Sequence, residues 1–305
     1  MKIAVVGAGG VGGYFGGRLA VAGLDVSMIA RGPHLQAIRE RGLQVQSVKG
    51  DFTADVPATG DPAEIGPCDV VLFCVKSYDT ESAASRLSPL IGDDTAVVSL
   101  QNGIDNEDRI AAAVGADHVI GGAAFIFSSI AAPGVISHTG GPARIVFGEM
   151  NGIVSTRVQR LLEACQGAAI DSDIPADIRV VLWTKYAFIC AVAGMTASVR
   201  LPLGEIRACP ESWAMFERIL TEVVILARAE GVSLPENVVE QQLEFAMELD
   251  AGALSSLHHD LVSGRRMELE ALHGTAVRRA ARLGVSTPAC ESIYAILRPW
   301  ALQNG

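Results

Sequence analysis

Gly7, Gly9 and Gly12 stand as G-x-G-x-x-G directly behind the apolar run IAVV and directly ahead of a helical pattern from Val11 to Ala22. Such a chain must end a strand, turn within a few residues and start a helix that packs back on the sheet. Gly7 suits the tight turn, Gly9 leaves room for a phosphate to approach the backbone, and Gly12 lets helix and sheet come close. The helix start adds unpaired N–H groups and a positive dipole end. The loop Gly7-Ala8-Gly9-Gly10-Val11-Gly12 is therefore assigned as a dinucleotide cradle.

The same alternation continues through LDVSMIA (24–30), a polar helix from about His34 to Arg41, DVVLFCV (69–75) and TAVVSLQ (95–101). Strands separated by helical patterns predict a parallel sheet covered on both faces. Between about His118 and Gly148, the segments VIGGAAFIF, GVISHT and ARIVFGE predict further strands, more antiparallel and joined by Gly/Pro turns. A helix near Ser155–Gln166 and the short strand AAIDS close this first domain. Past Pro175 strand alternation ends, and helical patterns cover 178–199, 211–231, 235–249, 265–283 and 288–302. Gly231, Pro235, Gly264, Gly284 and Pro288 sit at or near their ends. The predicted class is α/β: an N-terminal Rossmann-like dinucleotide-binding domain, residues 1–175, then an all-helical C-terminal domain, residues 176–305.

Composition excludes some partners. With 24 Lys+Arg against 34 Asp+Glu the net charge is −10, too acidic to build a face for nucleic acid or an anionic membrane. Six cysteines with no C-x-x-C spacing read as reduced thiols, so a cytoplasmic protein is expected. The N-terminus is too glycine-rich for a signal peptide. Val119–Ser137 is uncharged but broken by Gly and Pro, and it predicts buried strands. Val180–Val199 carries one charge, Lys185, and reads as a core helix and not a membrane span.

Three strand ends carry polar residues beside the loop. The second strand ends at Arg31, where an NAD-specific chain usually places an acid, while Asp25 lies at the far end. A guanidinium there suits a 2′-phosphate, which predicts NADP(H). Lys76 and Asn102 follow the third and fourth strands, and ligands of open α/β sheets bind outside such ends. Lys185, the one charge from Val180 to Val199, either reaches for solvent or faces a site where it can deliver a proton. Downstream, SSLHHDLVSGRRMELEALHG holds Ser256, Glu268, Glu270 and His273. Glu268 is placed on one helix with Leu272, and either glutamate could instead pair with Arg265, Arg266 or Arg278. His258-His259 makes no metal site, because adjacent helical residues face different ways.

Taken together, these motifs resemble the ketopantoate reductase (2-dehydropantoate 2-reductase) family nearly end to end. The carriers are GAGGVG with Arg31, VKSYDT around Lys76, QNGI with Asn102, WTKYAF around Lys185, and SSLHHDLVSGRRMELE with Ser256 and Glu268. The resemblance implies an oxidoreductase of pantothenate biosynthesis that reduces a 2-oxo acid with NADPH. Arg31 and Lys76 would contact NADP, and Asn102 would lie where cofactor and substrate meet. Lys185 would be the general acid, Ser256 would hold substrate, and Glu268 would bond substrate or orient the lysine.

This chain departs from the family where an Asn often stands four and eight residues after the lysine: it has Ile189 and Ala193. Ala253 replaces a third Asn, and His273 stands before Gly274 where Asn is common. Ile189 and Ala193 would then form an apolar wall beyond Lys185, which opens a second reading, a reductase of a more apolar 2-oxo acid. A third reading is a sensor that binds NADP(H) without turnover, and retention of Lys185 and Glu268 counts against it. A small-molecule 2-oxo acid is the expected partner, and a homodimer stays open as the assembly.

Overall fold

Ile3 and Val5 point to one side of the first strand, Ala4 and Val6 to the other, and all four are buried. Both faces of that strand are covered, which is why it reads as an unbroken apolar run. Ile3 and Val5 pack with Phe15, Leu19 and Met28 in one core layer. Ala4 and Val6 pack with Phe73, Leu87 and Ile110 in the other. The computed structural model describes residues 1–303. They divide into two units: Met1–Gln101 with Asn106–Ile178, and Asn102–Asp105 with the chain from Arg179 onward.

The first unit holds ten strands: β1 (Lys2–Val6), β2 (Asp25–Ile29), β3 (Leu43–Ser47), β4 (Phe52–Ala54), β5 (Ala58–Thr59), β6 (Val70–Phe73), β7 (Ala96–Ser99), β8 (Val119–Ala132), β9 (Val135–Glu149) and β10 (Asp171–Asp173). Their order is β4-β3-β9-β8-β7-β6-β1-β2-β5, with β10 on β9. β1 is parallel to β2 and β6, and β6, β7 and β8 continue parallel. Five helices accompany them: α1 (Gly10–Val21), α2 (Gly32–Arg41), α3 (Thr80–Ala84), α4 (Asn106–Val114) and α5 (Thr156–Gly167).

Two strand expectations change. GVISHT and ARIVFGE are one strand, β9, paired antiparallel with β8. The Gly140-Gly141-Pro142 break between them is an irregularity inside a continuous ribbon: register shifts near Phe127, and Gly141 and Ala143 take positive φ of 80° and 52°. The short strands β3, β4 and β5 carry no sequence pattern strong enough to announce them: β3 and β5 are completed by β9 and β2, far along the chain, and the three-residue β4 is an edge strand that pairs with β3 alone.

The second unit is helical: α6 (Ile178–Val199, its first residue counted in the first unit), α7 (Leu203–Ala208), α8 (Pro210–Ala229), α9 (Val238–Glu248), α10 (Ser256–Val262), α11 (Thr275–Leu283) and α12 (Pro288–Gln303). Among the described residues α6 is the one helix long and apolar enough to cross a bilayer. Its mean hydropathy is 1.5, and 61% of the apolar window is buried within the protein, as a core helix requires. The predicted helix over 265–283 is corrected. Gly264, at φ 61°, ends the α10 segment, residues 265–268 are non-helical, and a π-helical turn (Glu270–Gly274) leads into α11. Glu268 therefore lies ahead of the helix, with its carbonyl accepting from Leu272 N–H at 3.2 Å.

Candidate functional site

The three motif glycines are held in place by different contacts. Gly7 takes φ +97°, and a Cβ there would meet the Cys74 and Val75 backbone at 2.9 Å. At Gly12 a Cβ would lie 2.2 Å from the Gly7 carbonyl oxygen. Around the Cβ position of Gly9 nothing lies within 4 Å. The tight turn and the close helix approach are thus both present, and the open side is at the middle glycine. Gly7 and Ala8 N–H groups donate to Ile29 O, so the donors left by the helix start are those of Gly9, Gly10, Val11 and Gly12. Gly10 has an added reason to lack a side chain, since a Cβ would strike Ser128 O of β8 at 2.4 Å. An open backbone cradle at the positive end of a twelve-residue helix fits a pyrophosphate.

Arg31 caps the start of α2, and its guanidinium is exposed. Its Nη2 donates to Asp79 Oδ2 at 2.7 Å. An acid does stand at this corner after all, delivered by the loop behind β6 and not by the strand that ends at Arg31. Lys76 sits at the start of that loop, exposed. The loop is braced from two sides. Buried Gln101 donates through Nε2 to Val75 O at 2.9 Å and to Thr80 Oγ1 at 2.8 Å. Arg109 donates to Ser77 O at 2.8 Å and pairs with Glu81, and this hydrogen-bonded guanidinium holds the Glu81 carboxyl below its ordinary range.

In the second unit Lys185 is half-buried on α6, and its Nζ donates to Asn102 Oδ1 at 3.1 Å. Asn102 heads a four-residue segment that Thr275 and Arg279 also hold: Thr275 Oγ1 donates to Asp105 Oδ2 at 2.9 Å, and Arg279 Nη2 to Ile104 O at 3.3 Å. Ile189, one turn after Lys185, is half-buried, whereas Ala193 is packed into the core. Glu268 is buried at 7% exposure and so is not the solvated glutamate its composition allows. Glu270 pairs with Arg278 and Arg298. Burial pushes its pKa up, but hydrogen bonds from Tyr294 and Arg278 and the charge of Arg298 outweigh that and leave it low. Ser256 is exposed on the first turn of α10, while Ser255 caps that helix and bonds Thr196 Oγ1 at 2.8 Å.

Sequence reasoning missed Asp79, Gln101 and His34. Gln101 and Asp79 lie inside motifs already noticed, QNG and VKSYDT, so their neighbours were the signal. His34 left none, because both of its partners are backbone groups far away in the chain.

Known proteins resemble the chain along its whole length. The family signature described as ketopantoate reductase PanE/ApbA matches residues 3–152, and that of the ketopantoate reductase PanE/ApbA C terminal matches 177–301. The uncharacterized oxidoreductase YkpB of Bacillus subtilis is 33% identical over the full length of both chains. A 2-dehydropantoate 2-reductase of Halobacterium salinarum is 33% identical over 98% of each. The crystal structure of a PanE/ApbA family ketopantoate reductase from Ralstonia eutropha superposes with a TM-score of 0.92 at 33% identity, covering 100% of this chain and 99% of that one.

Proposed function

The chain belongs to the ketopantoate reductase family, which reduces a 2-oxo acid, and on that premise we propose that it reduces ketopantoate to pantoate with NADPH. The supporting observation is the Lys185 ammonium held at 3.1 Å from Asn102 Oδ1, the one charge between Val180 and Val199 of an apolar helix. A bound NADPH supplies a hydride to C2, and the residues described do the rest. The α1 N-terminus and the open side of Gly9 receive the pyrophosphate. Arg31 and Lys76 receive the 2′-phosphate as charge-assisted donors. Lys185 Nζ gives its proton to the carbonyl oxygen as alkoxide charge develops there, and Asn102 aims the ammonium. Glu268 and Ser256 take the substrate's polar groups. The six thiols are all free, which suits a reducing, cytoplasmic setting.

Ile189 supports a second reading in which the acid has an apolar tail. Beside Lys185 it offers no amide to a distal hydroxyl, and it gains about 0.8 kcal/mol for each CH₂ it helps to bury. One experiment tests both: NADPH oxidation across a panel of 2-oxo acids, ketopantoate included, by the unsubstituted protein, Lys185→Ala and Ile189→Asn. Lys185→Ala is expected to lose about 10²–10⁴ in kcat with NADPH binding little changed. If it keeps the original kcat, the lysine has no part in the chemistry. For the apolar reading, kcat/KM for a branched apolar acid comes within about tenfold of that for ketopantoate, and Ile189→Asn shifts the ratio toward ketopantoate. Strong ketopantoate selectivity in the unsubstituted protein removes the apolar reading.

A further inference from the structure

His34 lies half-buried on α2, between the glycine loop and the turn that joins β8 to β9. Gly134 N–H donates to its Nδ1 at 2.9 Å. A ring nitrogen that accepts carries no proton, so in the neutral ring the proton is on Nε2. Nε2–H then donates to Ala8 O, 2.7 Å away. Gly134 is itself anchored, with φ +78° over Ala37 and its carbonyl accepting from Gln44 N–H at 2.9 Å. The imidazole is therefore held at one end by a fixed turn and grips the loop with the other.

The grip has a consequence for the loop's donors. There is no cis peptide in the described chain, and in a trans peptide the C=O and the following N–H point in opposite directions. With Ala8 C=O turned to His34, the Gly9 N–H is turned the other way. Gly9 is the position whose Cβ direction is open, and its N–H is one of the four left to the α1 start. The peptide before Ala8–Gly9 is committed through Ala8 N–H to Ile29 O, and the one after it through Gly9 O, which accepts from Gly13 N–H at 2.7 Å, so the bond from His34 is the one that acts on the Ala8–Gly9 peptide itself.

We propose that His34, as its Nε2–H tautomer, is a positioning residue for dinucleotide binding: by gripping Ala8 O it holds the Gly9 N–H in the orientation that receives the pyrophosphate. This rests on the reading that the glycine loop takes a dinucleotide. The pyrophosphate is common to NADPH and NADH, so the effect of His34 is the same for both. In that it differs from Arg31, which acts on the 2′-phosphate.

The test uses isosteric amides on the full chain. His34→Gln puts an N–H donor where Nε2 stands, and His34→Asn keeps only an acceptor where Nδ1 stands. Titration of NADPH and of NADH, followed by nucleotide fluorescence, is expected to give Kd raised about tenfold in His34→Asn and His34→Ala for both nucleotides, with kcat at saturation unchanged. His34→Gln is expected to stay within about threefold of the unsubstituted protein. Nitrogen-15 shifts of the His34 ring in the unsubstituted protein, assigned against the Gln variant, are expected to show protonated Nε2 in the neutral form. Native Kd in the Asn variant, equal loss in Asn and Gln, or a protonated Nδ1 each overturns the role of His34 alone. If the unsubstituted protein binds neither nucleotide, the dinucleotide reading falls and this role with it.

Discussion

Burial governs the behaviour of His273. The side chain is fully enclosed in the helical unit, and neither ring nitrogen finds a partner of good hydrogen-bond geometry among the described groups. Desolvation pushes its pKa down to about 4, only partly offset by the Cys190 backbone. An ordinary histidine titrates near 6.5, so between those values the unfolded chain holds a proton that the folded protein does not. Stability is therefore full above about 6.5 and is lost as pH falls toward 4, by roughly 2 kcal/mol between pH 7 and pH 5. Urea unfolding at the two pH values measures it, with His273→Leu as control. The substituted protein is expected to lose that much less on acidification, and an identical pH dependence in both would place the titration elsewhere. The same enclosure argues that His273 does not replace the family's Asn as a freely offered polar group.

At the scale of the element, α6 carries both Lys185, the proposed proton donor, and the packing that fixes it. Tyr186, next to Lys185, donates to Leu272 O at 2.6 Å, which ties the helix to the π-helical turn. Gly194 lies further along, where a Cβ would stand 2.6 Å from His273 Nε2 and 3.0 Å from Ile293 Cγ2. Gly194→Ala brings two opposed effects. Helix propensity favours it by about 1 kcal/mol. Overpacking opposes it by about 1–3 kcal/mol, and both neighbours are enclosed and cannot give way. A net loss of up to about 2 kcal/mol is expected, read as a lower denaturant midpoint at unchanged m value. A raised midpoint would mean that the π-turn yields. Helical periodicity revealed α6 to the residue, but it could not reveal the π-turn, because the extra residue there answers to His273 packing against Gly194 and not to any local pattern.

The whole molecule registers ligand binding as stability. A nucleotide bound only by the folded state at a hundred times its Kd adds about 2.7 kcal/mol. The Arg31–Asp79 pair bears on which nucleotide does so. Arg31 is 75% exposed on its side chain, and exposed pairs contribute about 0–1 kcal/mol. Releasing the guanidinium to a 2′-phosphate thus costs less than the charge-assisted bonds return. At equal concentrations NADPH is expected to raise Tm more than NADH, and Arg31→Ala is expected to abolish the difference. Equal shifts in the unsubstituted protein would contradict the NADP preference.

Local patterns were enough for the parallel core of the first unit and for its glycine loop. Their causes are local too: unbroken burial from Ile3 to Val6 in β1, positive φ at Gly7, close contact at Gly12. Tertiary structure decided whatever depends on groups distant in the chain. It joined two apparent strands into β9, put Asp79 against Arg31 across 48 residues, and seated His34 between Ala8 and Gly134, 26 and 100 residues away. It also took Glu268 off its expected helix and enclosed it. Periodicity records which face of an element is dry, because burial repeats along the element. It does not record which backbone carbonyl a histidine will meet, because that depends on how the sheet brings separate loops to one edge.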